Sequence, residues 1–230
     1  KDRETGSKVH TSITARDPAA LLPLQEALGY DLAQSLFSQR RNLILEGLTD
    51  YWYLDGVASL ARAAGLEAID ERIALIPSNT ASKVAYFATI LHAQDFKVAA
   101  LLDSDAAGEK AAQQETLIHT LGSKRILRTG DICSSGVAKC EIEDLLRDTL
   151  PRISKDLGWD IDVDIEGQGS RPIMDIYSKK FPDFSKYRLA KAFLRWTRGG
   201  CFSNLSDSEQ EQWSNLMKSI SLALPPEDSS

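Results

Sequence analysis

Leu43-Ile44-Leu45-Glu46-Gly47-Leu48-Thr49-Asp50 is an apolar run that ends abruptly in acid. It has a counterpart about fifty-five residues on, in Val98-Ala99-Ala100-Leu101-Leu102-Asp103-Ser104-Asp105. Apolar runs of this length read as strands buried on both faces of a sheet. A strand that delivers carboxylates at its C-terminal end puts them where open α/β sheets carry their sites. Clustered carboxylates repel one another unless something positive sits among them, and hard oxygen donors suit Mg²⁺ or Mn²⁺.

Working outward from these two stretches, residues 42–46 read as a strand and 49–64 as a helix that Gly65 ends. Residues 72–76 are strand-like and closed by Pro77, 80–93 are helical, and 97–103 form the next strand. A helix over 106–121, ended by Gly122, leads into a strand over 124–128. This alternation predicts an α/β fold, a parallel sheet of about four strands flanked by helices. Right-handed crossovers then align every strand C-terminus along one edge. Beyond Cys140 the alternation stops: 143–150 reads as a short helix ended near Pro151, 160–171 as an acidic loop, and 186–197 and 207–223 as helices. Upstream, Asp17 and Pro18 open a helical pattern through Leu21, Leu22, Leu28 and Leu32 to about Phe37. The expected organisation is a lead-in segment and helix over 1–38, an α/β domain over 39–150, and a helical C-terminal subdomain over 151–230 that completes the site. The tail from Pro225 is expected to lack structure.

Composition narrows the setting. The 230 residues are 43% hydrophobic and 26% charged, the range of ordinary globular proteins. No apolar stretch approaches the twenty or so residues of a membrane span, and residues 1–16 carry no signal-peptide pattern. Cys133, Cys140 and Cys201 are odd in number and lack C-x-x-C spacing, which speaks against zinc and a disulfide framework and fits a reducing cytoplasm. The polar start without Met reads as part of a longer chain. The net charge of −6 is unevenly spread, because residues 179–198 hold seven basic side chains against Asp183 alone.

The chemistry is read from three acidic pairs. Glu46 ends a strand and Asp50 lies one turn later, where it either caps the helix or serves a site. Asp103 and Asp105 are two apart, and in extended chain point the same way; Ala106-Ala107-Gly108 can then start a helix close to a bound ligand. Glu141 and Glu143 repeat the spacing, and read either as a solvated helix start with Asp144 as cap or as a third ligand pair. Together these six can hold two metal ions, which would clamp the attacking and leaving oxygens of a phosphoryl transfer. There is no G-x-x-x-x-G-K-S/T loop and no G-x-S-x-G elbow, and His10, His92 and His119 lie away from the acids. On the helix over 186–197 and its end, Arg188, Lys191, Arg195 and Arg198 share a stripe opposite Leu189, Ala190, Phe193 and Trp196. That stripe reads either as a solvated face or as a phosphate-contacting one, with Lys191 the residue expected to reach the scissile phosphate.

The E-G-x-T-D of Glu46 to Asp50 and the D-x-D of Asp103 and Asp105 resemble the Toprim domain of topoisomerases, primases and several nucleases, over about residues 40–128. Cys140-Glu141-Ile142-Glu143-Asp144-Leu145, the basic helix around Tyr187-Arg188-Leu189-Ala190-Lys191 and the lead-in helix resemble the C-terminal half of the OLD (overcoming lysogenization defect) family nucleases. The resemblance implies a Toprim catalytic domain from an ATPase–nuclease that cuts DNA with two divalent metals, its ATPase half elsewhere in the full-length chain. Family members often carry glycines after the second strand, where this chain has Pro77-Ser78-Asn79-Thr80. The expected function is thus a divalent-metal-dependent DNA endonuclease domain, with Glu46 and Lys191 catalytic, Glu46, Asp50, Asp103, Asp105, Glu141 and Glu143 binding metal, and Arg188, Arg195 and Arg198 binding DNA. The rivals are a Toprim domain of topoisomerase or primase type, and a non-catalytic scaffold that binds DNA or a partner.

Overall fold

A computed structural model describes residues 39–163 and 169–226. The lead-in helix, part of the 160–171 loop and the last four residues of the tail lie outside the described residues.

The fold is α/β, with a four-stranded, all-parallel sheet flanked by helices and a helical C-terminal region. Strands β1 (Arg41–Leu45), β2 (Ile73–Pro77), β3 (Lys97–Leu102) and β4 (Ile126–Arg128) stand in the order β2-β1-β3-β4. Helix α1 (Leu48–Ala63) links β1 to β2, and α2 (Ala81–His92) carries the chain back across β1 to β3. Helices α3 (Ala106–Ala112) and α4 (Glu115–Leu121) precede β4. Then come α5 (Thr149–Ser154), α6 (Ile173–Lys180), α7 (Lys186–Thr197) and α8 (Asp207–Ala223).

The central strands are apolar because both their faces are covered. Leu43, Leu45, Ala99 and Leu101 join one core with α1 and the C-terminal helices, including the fully buried Trp159, Tyr177, Phe193 and Trp213. Ile44, Ala100 and Leu102, offset by one residue, are equally buried and serve the opposite face, where α2 packs. In register, Leu45 stands opposite Pro77 on one side and Leu101 on the other, so the chain leaves β1 and β3 nearly level. The buried Arg41 pins the other end of β1 to Asp70 and to the Leu224 carbonyl. Hydrogen bonds from Arg72 and Arg41 hold the Asp70 carboxyl well below the usual carboxylate range.

Three local expectations need correction. The helix over 106–121 is two helices, because Gln114 turns extended and caps the second. Pro151 does not end a helix; it sits in the first turn of α5, where a missing N–H costs no intrahelical bond. The segment over 143–150 is instead a 3-10 turn, Ile142–Leu146, followed by the start of α5. Helix α6, unassigned from the sequence, buries Ile173, Met174, Ile176 and Tyr177. Helices α7 and α8 coincide with the expected 186–197 and 207–223. Among the described residues no helix is long and apolar enough to cross a membrane.

Helices α1 and α7 pack so closely that Gly56 is required at the contact. A Cβ there would lie 2.8 Å from Phe193 Cε1 and 3.3 Å from Thr197 Cγ2. Gly56→Leu should cost roughly 1–3 kcal/mol through overpacking. Thermal unfolding should read this as a Tm lower by about 2–4 °C per kcal/mol. An unchanged Tm would mean that the two helices separate more easily than this packing allows.

Candidate active site

The level exits of β1 and β3 create the site. Chain crossing from β2 back over β1 puts the switch in sheet direction between these two strands, where open α/β sheets leave a crevice. Glu46 follows β1 directly, and its Oε1 accepts the Asp103 N–H at 2.8 Å, tying the two strand ends together. Asp103 Oδ1 accepts the Ile142 N–H at 2.9 Å, which draws the third acidic segment in. Asp105 caps α3, its Oδ1 accepting from the Ala107 and Gly108 N–H groups at 2.9 and 2.7 Å. Asp50, in the first turn of α1, accepts the Gly47 N–H at 2.9 Å and the Thr49 hydroxyl at 3.3 Å. Asp50 therefore caps its helix and faces the site as well. Gly108 permits the close approach of α3: a Cβ would fall 2.0 Å from the Asp103 carbonyl oxygen and 2.7 Å from Glu46 Oε1.

Glu46, Asp50, Asp103, Asp105 and Glu141 line one cleft of about 210 Å³ together with Asn79, Thr80 and Lys186. Glu143 lies fully buried beside it, 3.1 Å from Lys186 Nζ, and the same ammonium is 3.7 Å from Glu141 Oε2. All six acids singled out in the sequence are thus gathered around one lysine. Asp144 is a structural acid. It accepts the Glu141 and Ile173 N–H groups and pairs with Arg147.

Lysine placement differs from the expectation. Lys191 does not line the cleft; its ammonium lies 5.9 Å from the Trp52 ring centroid. Lys186, the first residue of α7, enters instead. A helical stripe identifies the polar face of a helix but not which end of it approaches a site. One signal was available. Ser185 caps α7, so Lys186 is a cation at the end of a helix that disfavours cations, and needs an acid nearby. The arginines do not converge on the cleft. Arg188 lies 4.8 Å from the Trp159 ring and 3.9 Å from Asp183, Arg195 borders a separate groove with Arg152 and Trp196, and Arg198 caps the end of α7. They and Lys191 remain exposed opposite the buried Leu189, Ala190 and Phe193.

The loop after β2 also reaches the cleft, through Asn79 and Thr80. Ser78 is fully buried, donates its N–H to the Leu45 carbonyl at 2.8 Å and its hydroxyl to the Thr80 carbonyl at 2.9 Å. Asn79 takes φ 70°, a left-handed conformation that Asn tolerates, and so does the work of a glycine there.

The charges in this cleft are held against strong penalties. Burial, with the charges of Asp50 and Asp105, pushes Glu46 up to about 7 against the opposing Asp103 hydrogen bond and Lys186. Burial also pushes Glu143 up to about 8, with Asp50 and Glu141 adding to it and Lys186 opposing. Asp103 is raised well above its ordinary value by burial and by Asp50, Glu143 and Glu46. Asp50 and Glu141 are raised by burial, with Lys186 opposing. For Lys186, burial favours the neutral amine, but Glu143, Asp103, Glu141 and Asp50 outweigh it and keep the ammonium charged.

The donors fit a hard divalent cation. One oxygen each of Glu46, Asp103 and Asp105 is committed to backbone N–H groups, and the other carries no hydrogen bond among the described residues. Both oxygens of Glu143 are buried without a hydrogen-bond partner among the described residues. A buried carboxylate without a hydrogen bond is costly unless a cation compensates it, and Lys186, 3.1 Å from Oε1, supplies part of that compensation. As the side chains stand, no group of three Asp, Glu, His or Cys among the described residues closes into a metal cage.

No protein-family model matches the chain, and no curated protein or solved structure matches it either.

The raised carboxyl pKa values carry a sign. A group whose folded pKa exceeds its unfolded value contributes stability below the unfolded pKa, and that stability is lost as pH rises through the folded pKa. Without divalent metal, the protein should therefore lose stability between about pH 4.3, the unfolded glutamate value, and the folded Glu46 and Glu143 values of about 7 and about 8. Glu143→Gln should raise the Tm in EDTA at pH 8 by about 3 °C or more, and much less at pH 5. Equal shifts at both pH values would mean that Glu143 is not held ionised against its surroundings.

Proposed function

We propose that the chain is a divalent-metal-dependent DNA endonuclease domain of Toprim type, cutting phosphodiesters with Mg²⁺ or Mn²⁺. The observation that carries this reading is the gathering of six carboxylates from the ends of β1 and β3 and the 141–143 turn around Lys186, with Glu143 left without a hydrogen-bond partner among the described residues. Glu46, Asp50, Asp103, Asp105, Glu141 and Glu143 would hold the metal, as two ions in the fullest form of the reading. When bound, such ions lower the pKa of water and neutralise charge on phosphoryl oxygens.

The chain's own residues supply the rest. Glu46 lines the cleft with one oxygen fixed by the Asp103 N–H, which leaves the other available as an acceptor for the proton of an attacking water. Lys186 keeps a positive charge at the cleft wall, suited to stabilising charge that builds on the phosphate or on the leaving oxygen. Asn79 and Thr80 also line the cleft and offer polar contacts to the sugar-phosphate chain. Arg188, Lys191, Arg195 and Arg198, exposed along α7, provide phosphate contacts beyond the scissile bond. DNA is then the partner, the OLD-like parts of the sequence add an ATPase domain in the full-length chain, and the free cysteines suit a cytoplasmic setting.

Incubation with supercoiled plasmid should give nicked or linear product in Mg²⁺ or Mn²⁺ and none in EDTA. Asp103→Asn should abolish cleavage. Lys186→Met should depress the single-turnover rate by about 10²-fold or more, the loss typical of a charge-stabilising group, while Lys191→Met should not. Cleavage that persists in EDTA, or parental rates for both Asp103→Asn and Lys186→Met, would overturn the reading.

A further inference from the structure

Helices α1 and α7 lie side by side in the same direction. Trp52 of α1 meets Tyr187 and Lys191 of α7, and one turn on Gly56 meets Phe193 and Thr197. Both helices begin at the acidic cleft, α1 with Asp50 in its first turn and α7 with Lys186. On the seam between them, just outside the cleft, Trp52 and Tyr187 stand edge to face, with ring centroids 5.9 Å apart and planes at 78°. Tyr187 is 55% exposed although it follows Lys186 directly. Its ring is not what docks the helix, since Leu189, Ala190 and Phe193 are fully buried and do that.

An exposed aromatic ring, braced by a second ring and set among cations, suits one kind of ligand well. Helix α7 carries Lys186, Arg188, Lys191 and Arg195 and no acid. Lysines and arginines along such a face attract a phosphate chain. A nucleobase attached to that chain has a flat π face, and stacking on an aromatic side chain is tolerant of its identity. Bases inside a duplex already have both faces covered by neighbours, so only an unpaired base can use the ring.

We propose that Tyr187, braced by Trp52, is a stacking platform for an unpaired nucleobase next to the phosphate held at Lys186, which makes single-stranded DNA, or an unpaired end or bulge in a duplex, the preferred substrate. The inference rests on the nuclease reading for its placement. Lys191, beside Trp52, and Arg188 then contact flanking phosphates, which accounts for a cation-bearing face that does not enter the cleft.

The test separates binding from cleavage. Fluorescence anisotropy titrations in EDTA at low salt would compare a labelled single-stranded oligothymidylate, the same strand with abasic positions, and a duplex of equal length. The parental chain should bind the oligothymidylate most tightly. Tyr187→Ala should weaken that binding about tenfold, the scale of one lost stacking contact, and change duplex and abasic binding by less than about twofold. Tyr187→Phe should restore the parental affinity, since the ring and not the hydroxyl stacks. Equal losses on all three ligands, no loss on any, or no binding by the parental chain would each overturn the platform. Plasmid cleavage in Mn²⁺, measured in parallel, reports on the other reading. A chain that stacks single strands through Tyr187 but never cuts contradicts the nuclease and keeps the platform.

Discussion

Six carboxylates are brought to the ends of two adjacent strands and largely taken out of water, and the surrounding structure is organised to hold them there. Mutual repulsion and desolvation both disfavour their charge, which is why the Glu46, Asp103 and Glu143 carboxyls are pushed upward in pKa. Each acid has a local partner. Glu46 stitches β1 to β3, Asp103 draws in Ile142, Asp50 and Asp105 cap helices, and Glu141 lies within reach of Lys186. Among the described residues Glu143 has the Lys186 ammonium alone, and neither of its oxygens makes a hydrogen bond there. A natural protein that retains such an arrangement at a stability cost fits a functional origin, because marginal stability leaves little room for unused strain.

The sheet order explains why the acids meet. With β1 and β3 adjacent and parallel, and with Leu45 opposite Leu101, the residues just past both strands must share one crevice. The C-terminal helices then close that crevice from the side. Helix α7 reaches it because Gly56 lets α1 and α7 touch and because Ser185 starts the helix just before Lys186. A charge at the first residue of α7 is thereby placed by packing some distance away, around Phe193.

Much of this was legible in the sequence. Apolar runs ending in Glu46 and Asp103 predicted parallel strands, and the alternation with helices predicted the sheet; both are present. Spacing in a strand-end motif survives folding, because the strand itself dictates where the side chains point. Lys186 was hidden for the opposite reason. Its role depends on how α7 docks, and helical periodicity describes a helix only around its own axis, so the stripe pointed to Lys191 instead. The interruption near Gln114 and the start of α5 at Pro151 were likewise tertiary outcomes, since weak local preferences yield to packing. Glu143 could be paired with Glu141 by spacing, yet its complete burial without a hydrogen-bond donor follows only from the three-dimensional arrangement.

The central claim is that this cleft is built to hold a divalent cation against Lys186. Crystals grown with Mn²⁺ and measured at its absorption edge test it most directly. The account predicts an anomalous peak in the cleft, within coordination distance of Glu46 and Asp103 oxygens and lost in Asp103→Asn. A cleft without a peak, while Mn²⁺ binds elsewhere on the surface, would contradict it and leave Lys186 as the counter-charge of a structural cluster.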